Sequence, residues 1–306
     1  MTSGNTSSAA GHTDVQAAYV HRNALTPLAQ PGSLQELLRL LGVQVSERTA
    51  ESGVPVSVWL VHEGAALLHE GMRSPALYVV RSGSLKCLKT LEDGYEQVLS
   101  FAQPGELLGF EALHRGIQPC SAVALEETTV YALSANQLPT LLRESPVLDR
   151  ALWLGMSQQV ARAAETAEMM AAVASDVRLA RFILWLSMRM SEAGQSSRRL
   201  RLRMGRRDIA SLLGVAHETV SRSFTMLADS GAIRVDNREV EILDADALRL
   251  RARSTRGLSG DTLVKSRVAA GAAQRQAPAA ASTSSAASKA AVPGAWWASV
   301  HSLQSS

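Results

Sequence analysis

The stretch RRDIASLLGVAHETVSRSFT, residues 206–225, decides the fold of the C-terminal half of this chain. It divides into two short helical segments around a tight turn, Gly214-Val215-Ala216. Apolar residues recur on one face of each segment at helical spacing, the pattern of a helix that packs through one side. They are Ile209, Leu212 and Leu213 in the first segment and Val220, Phe224 and Leu227 in the second. Two amphipathic helices joined by so short a turn predict a helix-turn-helix.

The second helix carries its polar residues on the side opposite this apolar stripe. At about 100° per residue, Glu218, Ser221, Arg222 and Thr225 fall together, and Thr219 lies beside them. In the major groove Arg binds the O6 and N7 atoms of guanine, Glu accepts from the N4 amine of cytosine, and Ser or Thr serves either purpose. This face is therefore predicted to read double-stranded DNA. An ordinary solvated helix surface is the alternative.

Positive charge is concentrated beside the helix-turn-helix. The net charge of the 306 residues is only +3, yet residues 198–207 hold six arginines and no acidic residue. Such a patch suits phosphate contacts that depend on salt, and Arg206 and Arg207 are the predicted contact residues. A solvated structural face is again the alternative.

A strand–turn–strand pattern follows the second helix, in residues 233–242. Its apolar and polar residues alternate on both sides of Asp236-Asn237-Arg238, which predicts a hairpin. Next to a helix-turn-helix such a hairpin is a wing, and Asn237 and Arg238 at its tip are predicted to contact backbone phosphates.

The rest of the chain divides into segments that differ in composition and in apolar pattern. Short β-rich runs between residues 56 and 133 are separated by Gly- and Pro-containing turns, which favours a small antiparallel barrel or roll. The chain as a whole is predicted to have an α+β fold in five parts. These are a disordered tail (1–32), a β-roll sensor domain (33–145), a dimerisation helix (146–174), a winged helix-turn-helix domain (175–250) and a disordered Ala- and Ser-rich tail (251–306).

The predicted long helix has small and apolar residues repeating along one edge, as in a coiled-coil contact with a second copy. The predicted seam consists of Leu152, Met156, Val160, Ala163, Ala167 and Met170. Packing of this helix on its own β-roll is the alternative. No acidic residue lies in the seam, so the homodimer could be permanent.

Several classes of protein are disfavoured by the sequence. The N-terminus lacks a signal peptide, and no apolar run approaches the ~20 residues that span a bilayer, so a cytoplasmic protein without membrane contact is expected. Two cysteines without an export signal do not suggest a disulfide framework. The sequence shows no P-loop, no nucleotide-binding glycine pattern and no GxSxG elbow; an enzyme is therefore not expected.

Four segments resemble the CRP/FNR family of bacterial transcription regulators, and its FNR branch in particular. They are LYVVRSGSLK (77–86), GELLGFEAL (105–113), VALEETTVYAL (123–133) and RRDIASLLGVAHETVSR (206–222). The resemblance implies a cyclic-nucleotide-binding-like β-roll, a homodimer and an activator that also contacts RNA polymerase. The E-x-x-S-R motif of that branch, here Glu218, Ser221 and Arg222, implies a palindrome similar to TTGAT-N4-ATCAA. Ala216 departs from the family, where a hydroxyl residue often caps the second helix.

The resemblance is weaker in the sensor domain. Family members that bind cyclic AMP hold its phosphate with an Arg-Ser pair and use a nearby Glu; the matching residues here are Cys120-Ser121 and Phe110. Members with an iron–sulfur cluster use four cysteines, whereas this chain has two, and Tyr131 stands at the internal ligand position. The expectation is therefore a regulator without cyclic nucleotide, cluster or other cofactor.

Three hypotheses about the signal stay open. Cys87 and Cys120 could form a redox pair, although two cysteines in a β-roll are more often buried and inert. A haem, as in nitric oxide or oxygen sensors, could take His62, His69 or His114 as its ligand. The third hypothesis is that no ligand binds. A ligand-binding module without specific DNA binding is the rival function.

Overall fold

The computed structural model describes residues 25–44 and 56–253. Residues 1–24 and 254–306, most of the two predicted tails, lie outside the described residues. Within the described ranges the elements in chain order are β1 (Leu25–Pro27), α1 (Leu34–Leu40), β2 (Ser57–Val61), β3 (Ala66–Leu68), β4 (Ala76–Ser82), β5 (Leu85–Thr90), β6 (Glu96–Ala102), β7 (Leu107–Leu108), α2 (Ala112–Arg115), β8 (Ser121–Ala124), β9 (Thr128–Ser134), α3 (Leu138–Glu144), α4 (Pro146–Met170), α5 (Ser175–Glu192), β10 (Arg199–Arg201), α6 (Arg206–Leu213), α7 (His217–Asp229), β11 (Ile233–Asp236), β12 (Glu239–Ile242) and α8 (Ala245–Arg253). The predicted α+β fold is confirmed.

The β-roll consists of two antiparallel sheets. One has the strand order β1-β2-β9-β4-β7 and the other β3-β8-β5-β6. Strand β4 is buried along most of its length because both of its faces are covered. Leu77 and Val79 face a core shared with α1 and α4, whereas Tyr78 and Val80 face a second core between the sheets.

The roll begins earlier than the sequence predicts. Residues 25–27 form β1, which pairs with β2 in the register Leu25↔Val61 and Pro27↔Trp59. The assignment of residues 25–32 to a disordered tail is therefore wrong. A strand of three residues carries too little pattern to be recognised, and its hydrogen-bonding partner lies more than thirty residues away along the chain.

Helix α4 begins at a proline, and the Ser145 hydroxyl caps it by accepting from the Leu148 N–H. It ends at Met170, four residues before the predicted boundary. Leu152 is only 3% exposed and lies in the roll core, against which Met156 also packs. The prediction that Leu152 and Met156 belong to a dimer seam is therefore wrong, because both hold α4 on its own domain. Met170 of the predicted seam likewise packs against the core of the C-terminal domain.

The C-terminal domain is built around α5, whose buried residues include Leu179, Phe182, Ile183 and Leu186. Helices α6 and α7 and the three-stranded sheet β10-β12-β11 share one core with it. The domain continues past the predicted end at residue 250, because α8 runs to Arg253. In α8 Leu248 is fully buried and Arg251 forms an ion pair with Asp176 of α5.

A buried charged cluster joins the two domains. The Glu106 carboxylate, in the turn before β7, pairs with Arg189 of α5, and both side chains are 5% exposed. Arg162 of α4 lies 3.4 Å from the same carboxylate, and Gln159 donates to it at 3.3 Å. The cluster, called the Glu106 cluster below, therefore connects the roll, the long helix and the DNA-binding domain.

A second contact places α6 against the edge of the roll. Strand β6 has a free edge, and Ser211 of α6 occupies it: its hydroxyl accepts from the Val98 N–H at 2.8 Å and donates to the Glu96 carbonyl at 2.9 Å. Lys86 of β5 donates to Asp208 at 2.9 Å. Together these bonds, called the α6 contact below, set the position of the helix-turn-helix on the roll.

Candidate nucleic-acid interface

The turn of the helix-turn-helix depends on one glycine. Gly214 ends α6 with φ 61°, in the left-handed region that glycine adopts without strain. Helix α7 then packs through Val220, Phe224 and Leu227, which are 1%, 4% and 2% exposed. The predicted turn and both apolar stripes are confirmed, and the packing fixes which side of α7 faces outward.

The outward side of α7, called the reading face, holds the four polar residues grouped by the sequence. Glu218, Ser221, Arg222 and Thr225 are all exposed. Neither Glu218 nor Arg222 forms an ion pair with another of the described residues. A carboxylate and a guanidinium without such partners are available to a molecule outside the chain.

The two hydroxyl groups of the reading face are bonded to their own helix. Ser221 Oγ donates to the His217 carbonyl at 3.3 Å, and Thr225 Oγ1 donates to the Ser221 carbonyl at 3.2 Å. Their oxygen lone pairs stay available as acceptors. Thr219, predicted to lie beside this face, is half-buried.

Helix α7 begins without a side-chain cap. Ala216 is its N-cap residue, in extended backbone conformation, and has no side-chain atom that could accept from the first turn. The weak cap predicted from the sequence is therefore confirmed. The N-terminal end of α7 is held instead by its buried side chains and by the Gly214 turn.

Arg206 does not project freely into solvent as a phosphate contact would. Its guanidinium lies 3.5 Å from the centroid of the Phe224 ring, and Nη2 donates to the Asn237 carbonyl at 3.1 Å. Burial lowers the pKa of this guanidinium from its usual value. Arg206 thus joins α6, the back of α7 and the wing, while its neighbour Arg207 is exposed.

The remaining arginines of the patch are partly neutralised by acidic residues distant in sequence. Arg203 donates to Glu126 of the roll at 2.6 Å, and Arg199 lies 3.6 Å from Glu241 of β12. Neither carboxylate is visible in the local sequence, because Glu126 lies in the turn between β8 and β9 and Glu241 in β12.

The wing forms as predicted. Strands β11 and β12 pair in register from Ile233↔Ile242 to Asp236↔Glu239, so Asn237 and Arg238 form the tip. Asn237 has φ 50°, a conformation that asparagine tolerates better than most residues. Both side chains are exposed. The wing and the reading face thus belong to one small domain whose parts are joined through Arg206.

Comparison with known proteins agrees with this geometry. Residues 59–145 match the cyclic nucleotide-binding domain, and residues 177–251 match the Crp-like helix-turn-helix domain. The transcriptional activator protein Anr of Pseudomonas protegens is 33% identical over 221 residues, which cover 72% of this chain and 87% of Anr. This chain belongs to the CRP/FNR family of transcription regulators.

One further relative is similar in sequence, and one solved structure is similar in fold. The fumarate and nitrate reduction regulatory protein of Escherichia coli is 33% identical over 199 residues, covering 65% of this chain and 80% of that protein. The structure of FixK2 from Bradyrhizobium japonicum has the same fold, with a TM-score of 0.58 at 22% identity over 68% of this chain and all of FixK2. As a CRP/FNR protein, this chain is a DNA-binding transcriptional regulator.

The CRP/FNR sensor positions can now be placed in the roll. Phe110 packs against the core shared with α1 and α4. Cys120 packs against Cys87 and the core between the sheets, and the Ser121 hydroxyl accepts from the Glu70 N–H at 2.9 Å. Tyr131 is fully buried in the first of these cores.

One of the histidines considered as a haem ligand lies in a surface contact. His62 donates to Glu127 at 3.1 Å on the surface. In residues 25–44 and 56–253, no three His, Cys, Asp or Glu side chains are grouped so that they could hold a metal ion. The same ranges contain no helix long and apolar enough to cross a bilayer.

Two groups of residues that connect the domains were not predicted from the sequence. One is the Glu106 cluster, and the other is the pair of α6 residues, Asp208 and Ser211, that bind the roll. Asp208 also accepts from the Gly205 N–H at 2.9 Å, so its acidic side chain near the start of a helix was a recognisable capping feature. Nothing local distinguishes Glu106 or Arg189 from solvated surface residues.

Proposed function

We propose that this protein is a homodimeric transcriptional activator of the FNR type that binds a TTGAT-N4-ATCAA-like palindrome and contacts RNA polymerase, without cyclic nucleotide, iron–sulfur cluster or haem. Glu218, Ser221 and Arg222 read the bases, and Thr219 and Thr225 flank them. Arg207, Asn237 and Arg238 contact phosphates. Anr and its relatives carry the name of transcriptional activators, which supports activation here.

The exposed reading face of α7 is the main observation that supports this proposal. Its acceptor, hydroxyl and guanidinium project from a helix whose opposite side is buried, and they lack ion-pair partners among the described residues. Each TTGAT half-site contains one G·C pair. Arg222 can bind the guanine edge of that pair and Glu218 the amine of its cytosine. A dimer places two such faces at half-sites about one helical turn apart.

The absence of cyclic-nucleotide binding is supported by the chemistry at the matching positions. Cys120 offers no guanidinium for a bidentate contact with a phosphodiester. The Glu111 carboxylate is also near enough to act on the charge of Cys120. A phosphodiester at that place would face a carboxylate instead of an arginine.

The absence of an iron–sulfur cluster is supported by the packing of Tyr131. An added Cβ on Gly32 would overlap the Tyr131 ring, so the ring fills this region closely. Cys87 and Cys120 lie in the other core of the roll. The two thiols and the internal ligand position are therefore not assembled around one site.

Homodimerisation is proposed through the exposed edge of α4 rather than the seam predicted from the sequence. Val160 is 70% and Trp153 65% exposed, and Ala164 and Ala167 lie on the same edge of the helix. The spacing between these four residues is seven, four and three, which is a heptad pattern. Of the predicted seam, Val160, Ala163 and Ala167 are exposed and stay in the proposed interface.

Base recognition is tested with two duplexes that differ at one position in each half-site. One contains TTGAT-N4-ATCAA, and in the other each G·C pair is replaced by A·T. At one fixed, near-physiological salt concentration, the exchange is expected to cost about 1–3 kcal/mol per half-site. Fluorescence anisotropy measures both affinities. Equal affinity for the two duplexes would show that the reading face is wrongly assigned.

The dimer is tested by placing one carboxylate on either side of α4. Val160→Glu puts a charge in the proposed interface, whereas Gln158→Glu puts it roughly 200° away around the helix. Light scattering after size exclusion is expected to show a dimer for the wild type and for Gln158→Glu. A monomer is expected for Val160→Glu, and a wild-type monomer would overturn the proposed dimer.

A further inference from the structure

The two cysteines of the chain lie side by side between the sheets of the roll. Strands β5 and β8 pair with Cys87 opposite Ala122, so Cys120, two residues before Ala122, points to the same face of the sheet. Cys87 is 6% exposed, and Cys120 packs against the same core. The two residues are 33 positions apart in sequence, and the redox pair considered from the sequence requires this contact.

The two thiols differ in environment. Cys87 lies in the core, whereas Cys120 is half-buried, next to the end of β8. Interaction with the Cys87 side chain lowers the pKa of the Cys120 thiol; burial and the carboxylates of Glu111 and Glu70 act in the opposite direction. The pKa of Cys87 is raised by its interaction with Cys120 and by burial. The more accessible thiol is thus the one closer to its nucleophilic form.

Strand β5 connects this pair to the DNA-binding domain. Lys86, next to Cys87, donates to Asp208 of α6 at 2.9 Å, with both side chains 20% exposed. Strand β6, which pairs with β5, donates the Val98 N–H to Ser211 of α6. A displacement of β5 at Cys87 would therefore act directly on the Lys86–Asp208 bond and, through the paired strand β6, on the two Ser211 bonds of the α6 contact.

We propose that Cys87 and Cys120 form a reversible intramolecular disulfide on reaction with a peroxide, and that closure of this bond displaces β5 and weakens the α6 contact. Cys120 is the attacking residue and Cys87 the resolving residue. The regulatory consequence rests on the proposed DNA-binding function, whereas disulfide formation does not.

The chemistry needs one peroxide per pair of thiols. The Cys120 thiolate attacks the O–O bond and becomes a sulfenic acid, and the hydroxide that leaves takes up a proton to give water. Cys87 then attacks the sulfenic sulfur. The S–O bond breaks, the thiol proton of Cys87 joins the departing hydroxide, and a second water is released with the disulfide. Two thiols are thus oxidised while the peroxide is reduced to two waters.

Disulfide formation is tested on the purified full chain with hydrogen peroxide. Peptide mapping without reductant is expected to give one cross-linked Cys87–Cys120 peptide, removed by dithiothreitol. Cys87→Ala is expected to stop at the sulfenic acid of Cys120, trapped by dimedone, and Cys120→Ser is expected to leave Cys87 reduced. Two unreacted thiols, irreversible oxidation of Cys120 beside a free Cys87, or a cross-link between chains would each overturn the proposal.

The effect on the α6 contact is measured without DNA. Hydrogen exchange of the Val98 amide is expected to be faster in the oxidised wild type than in the reduced protein, and unchanged by peroxide in Cys120→Ser. Unchanged exchange in a protein that has formed the disulfide would overturn the proposed coupling.

Binding to the palindrome gives the second readout. Oxidation is expected to lower the affinity roughly 5- to 150-fold, the usual range for coupling between two sites. Lys86→Met removes one bond of the α6 contact. This variant is expected to form the disulfide, but oxidation should lower its affinity for the palindrome less than it does in the wild type. Weak binding of the reduced protein to the palindrome would contradict the proposed function alone, because peptide mapping and hydrogen exchange still decide the redox pair.

Discussion

The reading face and the Glu106 cluster both contain glutamate and arginine, but the two regions use them in opposite ways. In the cluster, Glu106 and Arg189 are each 5% exposed and paired, and the indole of Trp185 lies 5.1 Å from the guanidinium of Arg189. On the reading face, Glu218 and Arg222 are exposed and bind no charged residue of the described chain. Burial and pairing, rather than residue type, therefore separate the charges that hold the domains together from the charges that are available to a partner.

The largest effect is expected when the cluster loses its arginine. Arg189→Met leaves the buried Glu106 with Arg162 as its remaining cation, and such a loss lowers the free energy of unfolding by about 3–5 kcal/mol. Urea denaturation measures the change. Arg143→Met, on the surface of α3, serves as the control and is expected to stay within about 0.5 kcal/mol of the wild type.

A double variant separates lost charge pairing from lost packing. Glu106→Leu with Arg189→Met removes both buried charges and is expected to recover most of the stability, because apolar replacements of a buried pair are often neutral. A single Arg189→Met variant as stable as Arg143→Met would contradict the view that the cluster holds the domains together.

On the reading face, loss of an arginine is expected to lower DNA affinity and to leave stability unchanged. Arg222→Ala removes no intramolecular ion pair of the described chain, so the free energy of unfolding should stay near the wild-type value. Affinity for the TTGAT palindrome should fall by about 1–3 kcal/mol, and the preference for its G·C pair should be lost. Arg143→Ala is the matched charge control. Equal losses on the specific and the exchanged duplex would mean that Arg222 contacts phosphate instead.

Arg206 and Arg207 are adjacent in sequence but differ in burial: Arg206 is packed on Phe224, whereas Arg207 is exposed. Arg206→Ala removes the stacking on Phe224 and should lower the free energy of unfolding by about 1–2 kcal/mol. Arg207→Ala should leave stability unchanged and reduce the slope of log affinity against log salt by about 1. Thermal denaturation and anisotropy titrations at several salt concentrations test both. A reduced slope in Arg206→Ala without loss of stability would restore it as a phosphate contact.

The smallest effect is expected at the start of α7. Ala216→Ser supplies the missing cap acceptor and should raise the free energy of unfolding by about 1 kcal/mol. Ala161→Ser, on the exposed surface of α4, is the control and should stay within about 0.5 kcal/mol of the wild type. No gain from Ala216→Ser would indicate that the first turn of α7 is already satisfied in another way.

Much of the DNA-binding domain followed from the sequence because its signals are local. The spacing of Val220, Phe224 and Leu227 fixes the buried side of α7, and with it the exposed side. The wing was found for the same reason, since alternation on both sides of Asn237 specifies a hairpin within ten residues. For the N-terminal domain, the strand and turn pattern favoured a barrel or roll and the family resemblance indicated the roll; the relatives confirm the family.

The errors arose where one element carries two apolar sides. Helix α4 has one side on the roll, through Leu152 and Met156, and another exposed, around Val160. Apolar spacing alone does not tell which side meets a second chain, so the predicted seam combined residues of both. Strand β1 and the end of α8 were missed because each depends on a partner distant in sequence.

The sequence by itself determined the family, the helix-turn-helix and the identity of the polar residues on its exposed side, because helical and strand periodicities are properties of neighbouring residues. Only the tertiary structure decided that Arg206 is packed while Arg207 is free, that Glu106 meets Arg189, and that the two cysteines touch. Those outcomes depend on contacts between residues dozens of positions apart. The burial that gives a charge or a thiol its role is created when the sheets and helices pack together.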